Sequence, residues 1–268
     1  MLRTDGQPGS IFSCNALNFK AWASLYERQR EALMPMTLLF DTWGTLVDNY
    51  SIADVIEPYV GEARTAQNIA QDWRGHQKWA MFYTTLADAF VPHPGLNEAC
   101  LRWSLDKHHI ELSEAAIKDI VNNYHKLRAY PDVIEALKSL KEQGHTLKIV
   151  ANPTKKMIED HSKFAGTYPY LDEIISSGDE AQAFKPSPKV YELGIRRAGC
   201  PKDQILWVTG HFWEIVGAHR QGLKCAWTNR ARQPILKIGV TPTYNTLNLL
   251  VLADQLKCES QQPKAAVA

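Results

Sequence analysis

The sequence is poor in cysteine, and its cysteines form no pattern that would bind a metal. Five of them are spread over 268 residues, without any C-x-x-C pair (Cys14, Cys100, Cys200, Cys225 and Cys258). An odd number at such spacings argues against a disulfide framework and against a zinc site. It is typical of a protein kept in a reducing interior, so we expect a cytoplasmic protein.

Long apolar runs and an excess of one charge are also missing. No stretch approaches the roughly 20 apolar residues of a membrane helix, and the N-terminus lacks the apolar region of a secretory signal. Lys plus Arg number 30 against 29 for Asp plus Glu, so no strong field attracts nucleic acid or a membrane surface. The expected partner is a small-molecule substrate, and a homodimer is left open. Residues 1–35 are interpreted as an N-terminal extension with a short helix at Ala21–Leu33.

What the sequence does contain is an alternation of short apolar runs with amphipathic helices. Strands are predicted at Thr37–Asp41, Thr146–Ala151, Glu173–Ser176, Gln204–Thr209 and Leu223–Thr228. Helices are predicted between the later strands, at Val133–Gln143, Lys155–Phe164, Pro188–Arg197 and Trp213–Gln221. Strands that alternate with helices through short connections indicate a parallel sheet covered on both faces. The fold class is therefore α/β with a Rossmann-like core.

The segment from about 50 to 130 has a different pattern. It is helical in periodicity, contains no convincing strand, and includes a helix predicted from Leu112 to about Arg128. We interpret residues 50–130 as a helical cap inserted into a core formed by residues 36–49 and 131–250. Residues 251–268 are interpreted as a C-terminal tail, polar from Cys258 onwards and expected to be disordered.

Polar residues follow several predicted strands at the point where each strand ends. Asp41, Asn152, Lys185 and the segment His211–Glu214 all lie at such ends or just beyond them. A single Asp after a strand is more often a turn residue. In open parallel sheets, however, ligands bind at the carboxyl ends of the strands. Four remote segments that converge on one crevice favour an active site.

The segment Phe40–Asp48 (FDTWGTLVD) resembles the first motif of the haloacid dehalogenase superfamily. Further motifs recur in the family's order over residues 37–250, with most similarity to the L-2-haloacid dehalogenases, in which a carboxylate displaces halide from an alpha carbon. Family phosphatases carry a second Asp two positions after the nucleophile, as a general acid. Here that position is Trp43, and an indole cannot protonate a leaving alcohol. Halide leaves without a proton, so the absence is harmless to dehalogenation.

The resemblance implies four catalytic roles. Asp41 would attack the alpha carbon and form an ester, and Thr45 would support its carboxylate. Lys185, in a segment similar to the family's Tyr-Lys-Pro motif, would be a fixed cation that lowers the pKa of Asp41. Glu214 would pair with Lys185 and orient the hydrolytic water. This set implies no metal and no cofactor.

The resemblance also implies residues that bind the substrate. Arg74, which follows Trp73, would receive the departing halide, since a guanidinium stays cationic and is weakly hydrated. An exposed charge on a helix face is the alternative for Arg74. Asn152 and Tyr191 match family positions at the substrate, and Trp43 and Trp213 would give the pocket aromatic walls, together with Phe212.

Four positions depart from the family pattern. Ala151 and Gly210 each stand where a hydroxyl is usual, His211 replaces an Asn, and Glu214 replaces an Asp. A lost hydrogen bond to a charged ligand costs about 1.5–3 kcal/mol, or roughly ten- to 150-fold in affinity. We therefore expect retained chemistry with a changed substrate and a larger pocket. His211 could act as a base near neutral pH or simply cap the next helix.

Several functions follow from these residues. The first is a hydrolase that forms an aspartyl ester on a 2-haloacid or a bulkier relative. The second is a lyase, cyclase or isomerase on the same fold that uses His211 and Glu214. The third is a non-catalytic binding protein, which the intact set of Asp41, Thr45 and Lys185 disfavours. A magnesium phosphatase is a weaker fourth, because of Trp43.

Overall fold

The computed structural model describes residues 35–261, of which Pro35–Lys257 belong to a single unit. The helix predicted at Ala21–Leu33 lies outside the described residues. Among the described helices, none has the length and apolar composition that a membrane crossing would require.

A six-stranded sheet forms the centre of the fold. Its strands are β1 (Thr37–Phe40), β2 (Thr146–Ala151), β3 (Glu173–Ser176), β4 (Ile205–Thr209), β5 (Lys224–Thr228) and β6 (Tyr244–Thr246). They lie in the order β3-β2-β1-β4-β5-β6, and every neighbouring pair is parallel. The predicted α/β fold class is confirmed. The short strand β6 was not predicted, because three residues give almost no periodic signal.

The central strand β1 is buried along its whole length. Leu38 and Phe40 pack into the core on one face of the sheet, and Leu39 packs into the core on the other. Strand β1 has β2 on one side and β4 on the other, so the strand order reverses beside it. Such a switch point opens a crevice at the carboxyl ends of the strands, which is where Asp41 lies.

Helices cover both faces of this sheet. Those of the core are α5 (Val133–Glu142), α6 (Lys155–Phe164), the single turn α7 (Ser177–Glu180), α8 (Pro188–Ala198), α9 (Phe212–Arg220) and α10 (Leu249–Gln261). Helices α5, α6 and α10 contribute side chains to the core around Phe40, and α8 and α9 to the core around Leu39. The two layers hold the strand ends in fixed positions.

Helix α10 corrects the boundary expected at residue 250. The core continues beyond it, since Leu252, Ala253 and Leu256 are buried with Leu249 in the same cluster as β1. The disorder expected from Cys258 is also wrong for the first residues, because the helix extends to Gln261. The apolar spacing i, i+3, i+4, i+7 from Leu249 was the available signal for this helix.

The insertion after β1, here called the cap, consists of helices. They are α1 (Ala53–Val60), α2 (Ala63–Leu86), α3 (His93–Lys107) and α4 (Glu114–Asn122). Residues 50–130 contain no strand beyond an isolated bridge between Ala129 and Val47. Helix α4 ends six residues earlier than predicted, and the chain turns there so that Tyr124 and Leu127 are buried in the core of the cap.

The loops after β1 and β4 approach each other very closely. Gly44 has a φ of 80°, a conformation that glycine adopts without strain. A Cβ added to Gly210 would lie 2.2 Å from the carbonyl oxygen of Gly44. The Gly210 N–H donates to Thr45 Oγ1 at 2.8 Å. The contact between these loops fixes the side chains that follow both strands.

This contact predicts the effect of a single methyl group. We expect Gly210→Ala to lower the free energy of unfolding by about 1–3 kcal/mol, because the methyl overpacks against a backbone carbonyl. Gly75→Ala is the matched control, since a Cβ there meets no atom within 4 Å, and the change raises the helix propensity of α2. Urea unfolding of both variants measures the difference. A Gly210→Ala protein as stable as the unchanged protein would show that the loops do not depend on this close approach.

Candidate active site

A buried ammonium group lies between two carboxylates at the carboxyl ends of β1 and β4. Lys185, in the loop before α8, donates from Nζ to Asp41 Oδ1 at 2.5 Å and to Glu214 Oε2 at 2.9 Å. Asp41 directly follows β1, and Glu214 lies in the first turn of α9. The Lys185 and Glu214 side chains are each 1% exposed. The structure therefore brings together three residues that the sequence analysis proposed as catalytic.

Neutral groups complete the hydrogen bonding of both carboxylates. Thr45 Oγ1 donates to Asp41 Oδ2 at 2.6 Å, so both oxygens of Asp41 are held in place. On the other side, the indole of Trp207 donates to Glu214 Oε2 at 3.2 Å. Thr45 is thus positioned as the predicted support of the Asp41 carboxylate.

The shared ammonium divides the two acids into unlike states. Burial by itself raises the pKa of Asp41, but the charges of Lys185 and His211 and the hydrogen bonds from Lys185 and Thr45 bring it below its ordinary value. Burial raises the pKa of Glu214 to about 8, and the negative charge of Asp41 adds to the rise. Burial also acts on Lys185, but the two carboxylates prevail and raise its pKa. The site therefore favours ionisation of Asp41 and protonation of Glu214.

His211 faces the same cavity from the start of α9. It occupies the N-cap position, but its side chain makes no capping hydrogen bond. Its Nε2 lies 2.7 Å from the carbonyl oxygen of Trp43 and 3.9 Å from Asp41 Oδ2. A carbonyl only accepts hydrogen bonds, so Nε2 carries the proton. Burial lowers the pKa of His211 although its side chain is 28% exposed, and the negative charge of Asp41 opposes this shift.

Arg74 enters the site from helix α2 of the cap. Its guanidinium lies 4.5 Å from the ring centre of Trp43 and donates to Tyr124 at 2.7 Å and to Gln77. It is 9% exposed, which excludes the alternative of a solvated charge on a helix face. In the described part of the chain, no carboxylate forms an ion pair with Arg74. A buried cation whose partners are all neutral is suited to receive an anion.

Asn152 holds the loop that carries Lys185. Its side-chain oxygen accepts from the backbone N–H of Lys185 at 2.9 Å and from Ser177 Oγ at 3.1 Å. Its amide nitrogen lies 3.5 Å from the sulfur of Met81, at the wall of the cavity. Asn152 thus positions Lys185, a contact that the sequence analysis did not anticipate.

Tyr191 does not line the cavity, which corrects the expectation that it contacts the substrate. Its ring is fully buried against Trp207, at 4.7 Å between ring centres, and its hydroxyl donates to the backbone oxygen of Glu214 at 3.3 Å. Tyr191 therefore packs behind Glu214, away from the cavity. The residue faces the core because helix α8 places it between Trp207 and Gly217.

The carboxylate of Asp41 opens onto a cavity of about 80 Å³ between core and cap. Trp43 and Trp213 line it, whereas Phe212 does not and packs against Trp227. Trp213 stacks on His211, with 5.4 Å between ring centres. Several lining residues were missed by the sequence analysis, namely Asn49, Tyr50, Lys78 and Met81. Only Lys78 had a signal, since it follows Arg74 by one helical turn.

The two missing hydroxyls have different meanings in the structure. Ala151 lines the cavity, so a hydroxyl is missing from that wall. At Gly210 no side chain fits without movement of the Gly44 loop, so the residue contributes its N–H to Thr45 instead. Of the two substitutions, only Ala151 therefore accounts for the expected loss of a hydrogen bond to the substrate.

Among residues 35–261, one set of ligand atoms could be considered for a metal ion. Atoms of Asp41, His211 and Glu214 lie within 4.8 Å of one another. A divalent cation among them would, however, lie beside the ammonium of Lys185, which already contacts both carboxylates. Repulsion between like charges makes this donor set a poor fit for a metal.

Known proteins are similar to this chain in sequence and in fold. The chain is 28% identical to haloacetate dehalogenase H-2 of Moraxella sp. (strain B), over 77% of this chain and 91% of that protein. It is 29% identical to (S)-2-haloacid dehalogenase 2 of Pseudomonas sp. (strain CBS-3), over 77% of this chain and 89% of that protein. A crystal structure of an L-2-haloacid dehalogenase superposes with a TM-score of 0.77 at 27% identity, covering 83% of this chain and 99% of the other. A family model for haloacid dehalogenase-like hydrolases matches residues 35–222, and the resemblance found in the sequence is thereby confirmed: the chain belongs to the haloacid dehalogenase-like hydrolase family.

Proposed function

We propose that this protein hydrolyses 2-haloacids, with Asp41 as the nucleophile. An Asp41 oxygen forms a bond to the alpha carbon, the bond from carbon to halogen breaks, and the halide leaves with its electron pair. Water then attacks the carboxyl carbon of Asp41 and releases a 2-hydroxy acid. The observation that carries the proposal is an ionised carboxylate, held at both oxygens, on a small cavity that also contains an uncompensated guanidinium.

The positions of Asp41 and Arg74 support the displacement step. The hydrogen bonds from Lys185 and Thr45 restrict rotation of the Asp41 carboxylate, which keeps one orientation towards the cavity and reduces the entropy lost on reaching the transition state. Arg74, supported by Trp43 and Tyr124, provides positive charge where the halide becomes an anion. Such charge stabilises a developing anion most in a site that excludes water.

Glu214 is suited to activate water only after the ester has formed. In the free protein the negative charge of Asp41 helps to keep Glu214 protonated. Ester formation removes that charge, while Lys185 stays in place, so the pKa of Glu214 falls. The proton then leaves towards solvent, and the carboxylate becomes available as a base. The first step thus prepares the base for the second.

The rival function keeps some support from His211, whose ring lies near Asp41 and lines the cavity. In a lyase, cyclase or isomerase, His211 and Glu214 would move protons on the substrate, with Asp41 as a further base. Against this, the protonated Nε2 of His211 is held by the Trp43 carbonyl. The two functions differ in where the oxygen of water goes.

A single turnover in heavy-oxygen water tests the proposed function. With (S)-2-chloropropionate and enzyme in excess, we expect the first product to contain ordinary oxygen and the peptide with Asp41 to gain one heavy oxygen. Mass spectrometry of product and peptide measures both, and Asp41→Asn, which has no carboxylate nucleophile, should release no halide. Label found directly in the first product would mean that water attacks substrate, and it would favour the rival function.

The assignment of Glu214 as the base predicts a trapped ester. We expect Glu214→Gln to release about one equivalent of chloride in a burst and then to turn over roughly 10²–10⁴-fold more slowly, because the general base is lost. Glu214→Asp is the matched control and should retain turnover. Rapid-quench halide assays and the mass of the Asp41 peptide measure burst and ester. Unslowed turnover without an ester would assign the base to another residue.

The fixed cation at Lys185 predicts activity without a metal ion. After dialysis against a chelator, we expect halide release at the original rate, with no increase on addition of magnesium, because the ammonium already balances Asp41. Activity lost in chelator and restored by magnesium would contradict this and revive the phosphatase alternative.

A further inference from the structure

Lys78 is a cation of the cap for which the chemistry proposed above has no role. It lies on helix α2 one turn after Arg74, so both residues are on the same face of the helix. Lys78 lines the catalytic cavity together with Asp41 and Arg74. It is therefore positioned to contact whatever molecule reaches Asp41.

A second, larger cavity adjoins the catalytic one at Lys78. It measures about 390 Å³ and extends over the loops after β4 and β5. Five residues line both cavities: Asn49, Tyr50, Lys78, His211 and Trp213. No Asp or Glu is among the residues that line the larger cavity. A molecule held at Lys78 could thus occupy both spaces without meeting a negative charge in the outer one.

The ammonium of Lys78 is not neutralised by the protein. Over residues 35–261, Lys78 forms no ion pair and no hydrogen bond with another side chain, and its ammonium lies 6.0 Å from the ring centre of Trp79. Burial and, after it, the charge of Arg74 lower the pKa of Lys78. A half-buried cation beside a second cation is unfavourable by itself, and an anion between them would relieve that cost.

We propose that Lys78 binds the carboxylate of the substrate, while the outer cavity receives the substituent on its alpha carbon. Lys78 then supplies the anion contact that Ala151, without a hydroxyl, does not provide. The substrate class is a 2-halocarboxylic acid with a chain longer than that of chloropropionate. This inference rests on the proposed function for the identity of the leaving group, but the carboxylate contact can be tested without turnover.

The test measures binding to the inactive Asp41→Asn protein, in which Lys78 is unchanged. The probes are (S)-2-chlorohexanoate and its amide, which differ only in the charged group, and quenching of tryptophan fluorescence reports binding because Trp43 and Trp213 line the cavity. We expect the carboxylate to bind more tightly than the amide. Adding Lys78→Met should weaken carboxylate binding roughly ten- to 150-fold and leave amide binding unchanged.

Two further variants make the result specific. Lys78→Arg should retain the preference for the carboxylate, because it keeps the positive charge. Lys138→Met is the matched control, since that lysine is 66% exposed on α5, and it should change neither affinity. With Lys78 intact, carboxylate affinity should also fall as the pH rises through the lowered pKa of Lys78, and Lys78→Arg should abolish that fall.

The outcomes separate this inference from the proposed function. Equal affinity for carboxylate and amide, or equal losses of both in Lys78→Met, would overturn the role of Lys78. In the active protein, kcat/KM should rise from chloropropionate to chlorohexanoate, and Lys78→Met should raise KM with little change in kcat. A preference for the shorter acid would overturn the role of the outer cavity. If neither chloropropionate nor chlorohexanoate released halide, the proposed function would be overturned, and the binding result would remain valid.

Discussion

The rest of the site depends on the contacts of the Lys185 ammonium with two carboxyl groups. The ammonium joins Asp41, which follows the first strand, to Glu214, which follows the fourth. Two carboxylates buried this close to each other would repel strongly without a cation between them. Removing one partner of such a buried set leaves an uncompensated charge, which costs several kcal/mol. The strand order is what makes the contact possible, because it sets β1 and β4 side by side.

A single positive charge shared by two acids also determines their roles. Only one carboxylate can be fully balanced, and the hydrogen bond from Thr45 selects Asp41. Glu214, in a drier position, has a raised pKa, and in the proposed reaction it would lose its proton once Asp41 becomes an ester. Two carboxyl groups with different environments are a general way to obtain unlike chemistry from one residue type. The order of the two proposed steps follows from this charge balance, without a movement of the backbone.

Much of the fold was accessible from the sequence, because strands buried on both faces are short apolar runs and the helices between them have clear periodicity. The positions of Asp41, Lys185 and Glu214 followed from strand ends and from the family resemblance. Side-chain direction was not accessible in the same way. Tyr191 lies near the site in sequence, yet it faces the core against Trp207. Phe212 packs against Trp227 and lines the outer cavity, not the catalytic one. The direction of such side chains depends on how the helix is rotated about its axis against the sheet, and the neighbouring residues in the sequence do not determine that rotation.

The cap shows why substrate preference is harder to predict than chemistry. Asp41 directly follows β1, whose register is fixed by parallel pairing with a neighbouring strand on each side. Arg74 and Lys78 belong instead to a single face of helix α2, and neither forms an ion pair with a carboxylate in the described part of the cap or core. A change at Lys78 would leave the contacts among Asp41, Lys185 and Glu214 intact. The anion contacts proposed for the cap are therefore independent of the core contacts on which the proposed reaction depends.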